Sequence, residues 1–240
     1  MSFVIHRKKK SPNYDPVKIT VEFLVIHYTA TSLSRALALF QDSSSKVSSH
    51  LVIDRDGDVY ELVSCLDGSC FKAWHAGDSY WQAEEKNWKQ FNDFAIGVEL
   101  VNKNGNLFEY TTQQYHSLKV LMEKLKKHYT ALENPERILG HEHIAGHRGK
   151  VDPGHCFNWP LFFQMSYSGE IPLRKAVLPD KQRQMFLDIY QTLIRNKEQK
   201  GKTFDVKTRA IYKDYLSSLI TDEDWMQLNH QMEKSLTSYF

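Results

Sequence analysis

The sequence predicts an α/β fold in which a mixed central β-sheet is flanked by helices and followed by a C-terminal helical extension. Three segments carry this prediction. Residues 21–26 (VEFLVI) and 94–101 (FAIGVELV) are short apolar runs, rich in β-branched and aromatic residues, that are typical of buried strands. Residues 111–129 carry an apolar stripe at helical spacing with charged residues on the opposite face, which is typical of a helix packed on a core.

Length and composition predict one sizeable domain with an appendage. The chain has 240 residues, of which 41% are hydrophobic and 25% charged, as in ordinary globular proteins. The expected divisions are an N-terminal tail at 1–19, a main domain at 20–168, a linker at 169–179 and a helical extension at 180–240. Apolar residues recur at helical spacing in 180–197, 205–219 and 221–239, and we expect these helices to dock against the main domain.

Charge and hydropathy exclude two classes of partner. The formal net charge is +2, whereas a domain that binds nucleic acid usually shows a strongly basic face, so we expect no nucleic-acid partner. No apolar stretch approaches the roughly 18–20 residues of a membrane helix, and the N-terminus lacks the apolar core of a secretory signal. We therefore expect a cytoplasmic protein without a membrane span.

The first predicted strand leads directly into a histidine, His27. A strand end holds a side chain in a defined place, so His27 is a candidate ligand or catalytic group, with a hydrogen-bonded core histidine as the alternative. Further along the chain, residues 49–63 predict a β-hairpin around the turn Asp56-Gly57. His50 begins the first strand of this hairpin.

Two neighbouring segments are candidates for the lining of a cleft. Residues 74–77, Trp-His-Ala-Gly, combine an aromatic face, an imidazole and a flexible glycine, although a loop tryptophan is just as often a lid on the core. Residues 78–93 mix aromatic and charged side chains. They predict a loop or a weak helix that forms one wall of a groove.

The chain contains three cysteines, Cys65, Cys70 and Cys156. They match neither a paired disulfide framework nor the spacing of a zinc site. We therefore expect buried or inert thiols, and a Cys65–Cys70 disulfide would matter only in an exported protein.

Glu99 is the single carboxylate in the apolar run 94–101. A glutamate in a buried strand is costly unless it has a partner, because desolvation disfavours its charged form. Burial also raises the pKa of a carboxyl towards the range useful to a general acid or base at neutral pH. Glu99 is thus a candidate catalytic group, the alternative being a glutamate neutralised by a lysine or arginine of the sheet.

The segment 111–129 is the clearest helix of the sequence, and we expect it to serve as scaffold. Thr112 is a reasonable N-cap for it. After this helix, Asn134-Pro135 predicts a turn into a further strand, which would carry His141.

Residues 140–153, GHEHIAGHRGKVDP, gather three histidines, a glutamate, a lysine and an aspartate. This density of possible ligands predicts a metal site. Zinc binds imidazole nitrogen and carboxylate oxygen, and a catalytic zinc typically has three protein ligands and an open position for water. One short stretch rarely supplies all three ligands, so we expect the remaining one from elsewhere, most plausibly His27.

Two further residues of this stretch have defined surroundings. Asp152 precedes the turn at Pro153-Gly154, which would hold its carboxylate at a fixed angle. Lys150 lies two residues earlier, and in an extended segment such positions point to the same side. Its ammonium would then lie beside the metal, where it could stabilise an oxyanion.

Five motifs in fixed order resemble a known family. VIHYTA, SSHLVIDRDGDVYELV, AWHAG, NDFAIGVEL and GH…KVDPG are similar to motifs of the zinc-dependent N-acetylmuramoyl-L-alanine amidases of the amidase-2 (AmpD-like) family. Phage lysozyme-amidases and peptidoglycan recognition proteins are relatives of that family. The resemblance covers about residues 20–165, which makes 20–168 the catalytic domain.

The resemblance implies hydrolysis of the amide between N-acetylmuramic acid and L-alanine in peptidoglycan or muropeptides. It implies one Zn²⁺ per chain held by His27, His141 and Asp152, with Glu99 and Lys150 completing the catalytic set. Our candidates for substrate binding are Tyr28, His50, Trp74 and His75. His50 belongs to the signature of the fold and is not expected to bind zinc, so its role is expected to be structural or to support a ligand. This chain carries one more residue than the common family pattern between the GH histidine and the aspartate, so His143 and His147 are competing ligand candidates.

Two other functions compete with the amidase. One is a recognition module of the same fold that binds muropeptides without cleaving them, and its usual sign would be a lost zinc ligand. The other is a zinc hydrolase of another class, such as a nuclease, against which the nearly balanced charge argues.

Overall fold

The computed structural model describes residues 3–83, 86–198, 221–223, 225–226 and 229–230. In chain order, the strands are β1 (Ile5–His6), β2 (Tyr14–Lys18), β3 (Phe23–Tyr28), β4 (Leu51–Ile53), β5 (Val59–Glu61), β6 (Phe71–Ala73), β7 (Tyr80–Ala83), β8 (Lys86–Lys89), β9 (Ala95–Leu100) and β10 (Ile138–Gly140). The α-helices are α1 (Leu33–Gln41), α2 (Thr112–Lys126), α3 (His141–Ala145), α4 (Trp159–Ser166) and α5 (Asp180–Glu198).

A six-stranded mixed sheet forms the centre of the described chain, in the order β1-β5-β4-β9-β3-β10. Strand β3 runs parallel to both of its neighbours, β9 and β10, and β4 runs parallel to β9 but antiparallel to β5. Two small sheets, β2-β6 and β7-β8, lie beside it. The predicted fold class, a mixed sheet flanked by helices, is confirmed.

The two faces of β3 serve different purposes because successive side chains of a strand point in opposite directions. Leu24 and Ile26 face the larger core, which contains the apolar residues of α2 and α4. Phe23 and Val25 face a second cluster on the opposite side of the sheet. His27 follows the alternation of Phe23 and Val25, so the site described below is on the face away from α2.

Helix α2 confirms the predicted helix but begins at a different cap. The Thr111 hydroxyl accepts a hydrogen bond from the Gln114 backbone N–H (3.1 Å), and the Gln114 side chain accepts one from the Thr111 N–H (3.0 Å). This reciprocal capping box satisfies two backbone donors at the helix start. The N-cap is therefore Thr111 and not Thr112.

The N-terminal tail expected at 1–19, which contains the short basic run 7–10, is bonded to the main domain. Strand β1 pairs with β5 at the edge of the main sheet, and β2 pairs with β6. Arg7 and Lys10, in the basic run, form ion pairs with Glu61 at 3.5 and 3.2 Å. A strand of two residues is too short to leave a periodic pattern, so the sequence carried no signal for it.

The segment 78–93 is also different from the expected loop or weak helix. It contains the antiparallel hairpin β7-β8, in which Trp81 is paired with Trp88. Both tryptophans pack, partly buried, against the cluster around Phe23. Cross-strand aromatic pairs of this kind stabilise small sheets, and the hairpin does not line the cavity described below.

The described part of the C-terminal extension packs against the main domain. Phe186 and Tyr190 of α5 join Trp225 in a cluster with Phe108 and Val151. The predicted helix at 180–197 is present as α5. The predicted helix at 205–219 lies outside the described residues, as does most of 221–239.

The segment expected to be a linker is bonded to the main domain. Arg174 donates to the backbone oxygen of Ile138 (3.3 Å) and pairs with Glu136 (2.7 Å). The Val177 N–H donates to Glu142 (2.8 Å). Across the described residues, no helix is both long and apolar enough to cross a membrane.

Candidate active site

The sheet brings the predicted metal ligands to one edge. Strands β3 and β10 are parallel neighbours, so their C-terminal ends meet at the same edge. His27 is the last residue but one of β3, and His141 directly follows β10. Asp152 is held nearby, because its backbone oxygen accepts the Glu142 N–H (2.8 Å). One ligand atom from each of His27, His141 and Asp152 lies within 4.8 Å of the others, and all three residues are buried.

The three donor atoms face one point. Oδ2 of Asp152 lies 3.0 Å from Nδ1 of His27 and 3.1 Å from Nδ1 of His141. A zinc ion bound to imidazole nitrogen and carboxylate oxygen has bond lengths of about 2.0–2.2 Å, and three donors at these separations can share such an ion. The group His27, His141 and Asp152 could therefore hold a metal ion.

The second nitrogen of each metal-facing histidine also has a partner. Nε2 of His141 lies 3.2 Å from the backbone oxygen of Ala76. Nε2 of His27 lies 3.1 Å from Nδ1 of His75. In metal sites such outer contacts fix the orientation and the tautomer of the ligand. Both rings are thus held with Nδ1 directed towards Asp152.

The charges of the site favour a carboxylate at Asp152 beside a neutral imidazole at His27. Burial alone would raise the pKa of Asp152, but His141 and then His27, whose Nδ1 atoms lie close to its Oδ2, hold this pKa well below its usual range. Burial, reinforced by the charge of His141, lowers the pKa of His27 to about 4. Deprotonated carboxylate and neutral imidazole are the forms that bind metals.

Glu99 lies on β9 directly opposite His27 in the sheet register. It is 9% exposed, and its Oε2 has no hydrogen-bond partner among the described residues. Burial first, and the negative charge of Asp152 second, raise the pKa of Glu99 to about 8, while the charge of Lys150 lowers it. A carboxyl in this state can exchange protons near neutral pH.

A cavity of about 230 Å³ joins these groups. Its lining includes the three metal-facing residues with Glu99 and Lys150. The other lining residues are Tyr28, Thr29, Ala30, Leu39, Phe40, Val47, Ser48, Trp74, His75, Asn104, Val151, Phe186 and Asn229. Sequence reasoning missed Phe186 and Asn229, because both belong to the extension and neither is part of a motif.

His50 occupies a different position from the one expected of a substrate-binding residue. It is completely buried and does not line the cavity. Its Nε2 donates to the backbone oxygen of Phe71 (2.8 Å), and its Nδ1 accepts the Gly97 N–H (3.0 Å). Both ring nitrogens thus connect neighbouring backbone segments, which fits the structural role expected of His50 and leaves a substrate contact as a prediction.

The competing histidines of the ligand stretch lie apart from the metal-facing group. Nδ1 of His143 accepts the Gly140 N–H (2.8 Å), and its Nε2 donates to the Lys175 oxygen (2.9 Å). The His147 side chain is 51% exposed and lies 3.6 Å from Asp78. Helix α3 therefore directs His141, but not His143, towards Asp152.

The three cysteines are free thiols. Cys65 and Cys70 are buried and Cys156 is partly buried. Burial raises the pKa of both the Cys65 and the Cys70 thiol, which makes them poor nucleophiles.

Two residues that sequence reasoning missed shape the site from behind. The side-chain oxygen of Asn92 accepts the N–H groups of His75 (3.0 Å) and Ala76 (2.8 Å). At Gly97 a Cβ atom would lie 2.5 Å from Cγ of His75, so this position of β9 must be glycine for the ring to pack there. A glycine inside a strand pattern is a signal for such a close approach.

Comparisons with known proteins agree with this site. A family model described as Amidase_2, N-acetylmuramoyl-L-alanine amidase, matches residues 17–155. The chain is 34% identical over 176 residues to 1,6-anhydro-N-acetylmuramyl-L-alanine amidase AmpD of Haemophilus influenzae, and the match covers 65% of this chain and 89% of that protein.

Solved structures show the same similarity. A crystal structure of an Se-Met AmpD derivative is 30% identical with a TM-score of 0.54, over 69% of this chain and 96% of that one. The Escherichia coli amidase AmiD, in complex with the substrate anhydro-N-acetylmuramic acid-L-Ala-D-gamma-Glu-L-Lys, is 28% identical with a TM-score of 0.53, over 65% of this chain and 61% of that one. The chain therefore belongs to the amidase-2 family and is an N-acetylmuramoyl-L-alanine amidase, which hydrolyses the amide bond between N-acetylmuramic acid and L-alanine.

Proposed function

We propose that the protein is a zinc-dependent amidase in which His27, His141 and Asp152 hold one Zn²⁺ per chain. The observation that carries this proposal is the convergence of these donor atoms in one cavity with Glu99, whose Oε2 has no hydrogen-bond partner in the part of the chain that the structure describes. Two imidazoles and one carboxylate suit zinc, and three protein ligands leave a position open, as in catalytic sites.

The proposed mechanism assigns one role to each polar group. When bound, zinc supplies the Lewis acidity that activates a water molecule and polarises the substrate carbonyl. Glu99 accepts the proton that the water loses as it attacks the carbonyl carbon, and donates it to the nitrogen of L-alanine as the C–N bond breaks. Lys150, which lines the same cavity, stabilises the negative charge that develops on the carbonyl oxygen.

The proposed substrate is a soluble anhydro-muropeptide, as produced when a cell wall is degraded for recycling. Two similar proteins support this choice: AmpD of Haemophilus influenzae is named a 1,6-anhydro-N-acetylmuramyl-L-alanine amidase, and AmiD was solved with an anhydro-N-acetylmuramic acid peptide. Tyr28 and Trp74 line the cavity, and we propose that they contact this muropeptide.

Metal analysis combined with cleavage tests the proposal. The purified protein should contain one zinc per chain and should release free stem peptide from anhydro-muropeptide, as followed by mass spectrometry. Chelation should abolish release and added zinc should restore it. Stoichiometric zinc without cleavage would contradict the substrate, and cleavage that persists after complete chelation would contradict the role of zinc. Intact sacculus, assayed in parallel, should be cleaved much more slowly.

A further inference from the structure

The loop 75–76 contacts both metal-facing histidines from behind. We propose that His75 and the backbone oxygen of Ala76 are positioning groups, which fix the tautomers of His27 and His141 so that Nδ1 of each is free for the metal. This inference rests on the proposed zinc site. It gives His75 a role different from the substrate contact expected from the sequence.

The first step concerns the proton on His75. Its Nε2 lies 3.1 Å from the backbone oxygen of Ala95. A carbonyl oxygen can only accept a hydrogen bond. Nε2 of His75 therefore carries a proton, and in the neutral ring Nδ1 is left as an acceptor.

The second step concerns the contact between His75 and His27. Nδ1 of His75 and Nε2 of His27 are 3.1 Å apart, and one proton lies between them. If His75 supplied this proton it would be a cation, enclosed between the rings of His27 and His50. A partly buried charge with no acidic partner among the described residues is costly. His27 is therefore the donor.

The third step follows from the neutral imidazole of His27. With its proton on Nε2, the lone pair of Nδ1 points to the position that Asp152 also faces. The same logic applies to His141, whose Nε2 faces the backbone oxygen of Ala76 (3.2 Å) and whose Nδ1 faces Asp152 (3.1 Å). Two consecutive residues thus direct both rings.

The loop that carries these acceptors is itself restrained. The Asn92 side chain holds the N–H groups of both His75 and Ala76. The ring of His75 lies on the backbone of Gly97, where any side chain would collide with it. The position of Nδ1 of His75 is therefore set by the fold and does not depend on the metal.

Removal of the acceptor should weaken metal binding. Without Nδ1 of His75, the proton of His27 has no buried acceptor on that side. The ring can then place its proton on Nδ1, where it would bond to Asp152 and compete with the metal. Loss of an outer partner of this kind typically lowers metal affinity by about 10–100-fold.

An isosteric pair of variants tests this inference. Asparagine and leucine have the same heavy-atom shape, but only asparagine places an oxygen close to the position of Nδ1. We expect His75→Leu to weaken zinc binding about 10–100-fold, measured by competition with a chromogenic chelator, and His75→Asn to recover most of that loss. His6→Leu, which removes an imidazole bonded to Asp58 at the opposite edge of the sheet, should leave zinc affinity close to that of the wild-type protein.

The tautomer can be measured directly in the wild-type protein. Two-bond ¹H–¹⁵N correlation spectra should show the proton of His75 on Nε2, both without metal and with zinc, and the proton of His27 on Nε2 with zinc bound. A proton on Nδ1 of His75, equal zinc affinity in His75→Leu and the wild-type protein, or equally weak binding in His75→Leu and His75→Asn would each overturn the inference. If wild-type protein bound no zinc, the proposed function would fail, whereas the His75 spectrum would still decide its tautomer.

Discussion

The two halves of the active site are held in different ways. His27 and Glu99 lie on adjacent strands of the central sheet, directly opposite each other, and both strands are buried. His141 and Asp152 lie after the last strand of the sheet, on a short helix and in a loop. The first half is positioned by a continuous ladder of backbone hydrogen bonds. The second half is held by one backbone hydrogen bond, from the Glu142 N–H to the Asp152 oxygen, together with side-chain contacts.

Many of those contacts come from beyond the region that the family model matches, which ends at residue 155. The carboxylate of Glu142 accepts the Val177 N–H (2.8 Å). Val151, next to Asp152, packs in a cluster with Phe186 and Trp225. We therefore expect the loop-borne groups to depend on the extension more than the sheet-borne groups do.

The largest effect should come from the sheet-borne catalytic group. Glu99→Gln keeps the shape of the side chain but removes the base, and general acid–base catalysis contributes about 10²–10⁴-fold. We expect kcat to fall by at least that much while the zinc content stays at that of the wild-type protein. Steady-state cleavage assays and elemental analysis on the same preparation measure both quantities. Undiminished turnover in this variant would disprove the role of Glu99.

Metal removal should affect the two halves of the active site differently. Because zinc would join His27 on the sheet to His141 and Asp152 on the loop, its loss withdraws about 4 kcal/mol of stabilisation when free zinc had been about 1,000 times Kd. Hydrogen exchange should then rise at the amides of 141–152 and change little in β3 and β9. Equal increases in both regions would show that the sheet does not hold its half independently.

Local patterns account for most of the correct sequence predictions. The composition of β3 and β9, the turn at Asp56-Gly57 and the apolar stripe of α2 are each readable within one short window. Glu99 was recognisable because one carboxylate in an apolar strand needs an explanation. The order of the motifs then identified the family.

The predictions that failed depend on contacts between distant segments. The pairing of Trp81 with Trp88 forms a hairpin within a strongly charged sequence. The partners of His50, Phe71 and Gly97, also come from other segments of the chain. Neither residue type nor spacing encodes such partners, so a single sequence could place these side chains near the site but could not say what they touch.

The extension should matter to the loop-borne half more than to the sheet. Trp225 is completely buried, and Trp225→Ala should cost about 3 kcal/mol of unfolding free energy and lower zinc affinity through the loss of packing at Val151. Met226→Ala is the matched control, because its neighbouring side chain is 43% exposed. Denaturant unfolding and chelator competition on both variants measure the two effects. If Trp225→Ala kept full zinc affinity, the extension would contribute to stability but not to the metal site.

The smallest predicted effect is a pH dependence at Glu142. Burial, only partly offset by the Val177 N–H, raises the pKa of Glu142 from 4.5 to about 8. Between these values the folded protein binds a proton that the unfolded chain has released. Glu142 therefore contributes a loss of stability of the metal-free protein as pH rises, on the order of 2 kcal/mol between about pH 5 and 7. Buried histidines with a lowered pKa, such as His27 and His143, contribute slopes of the opposite sign, so the contribution of Glu142 is the difference between the wild-type protein and a variant that cannot titrate there.

Glu142→Gln cannot titrate, so its unfolding free energy should lack this slope. At low pH the Glu142→Gln variant should be less stable than the wild-type protein. The N–H groups of Val177 and Gly154 each donate to one oxygen of Glu142, and in the variant the amide NH₂ group, which cannot accept, would face one of these donors. The test is the change of the unfolding free energy with pH, and not its absolute value. It is measured by urea unfolding at several pH values in the presence of a chelator. Parallel pH profiles for both proteins would mean that Glu142 is charged in the folded state, so that the loop-borne half would contain a second buried carboxylate beside Asp152.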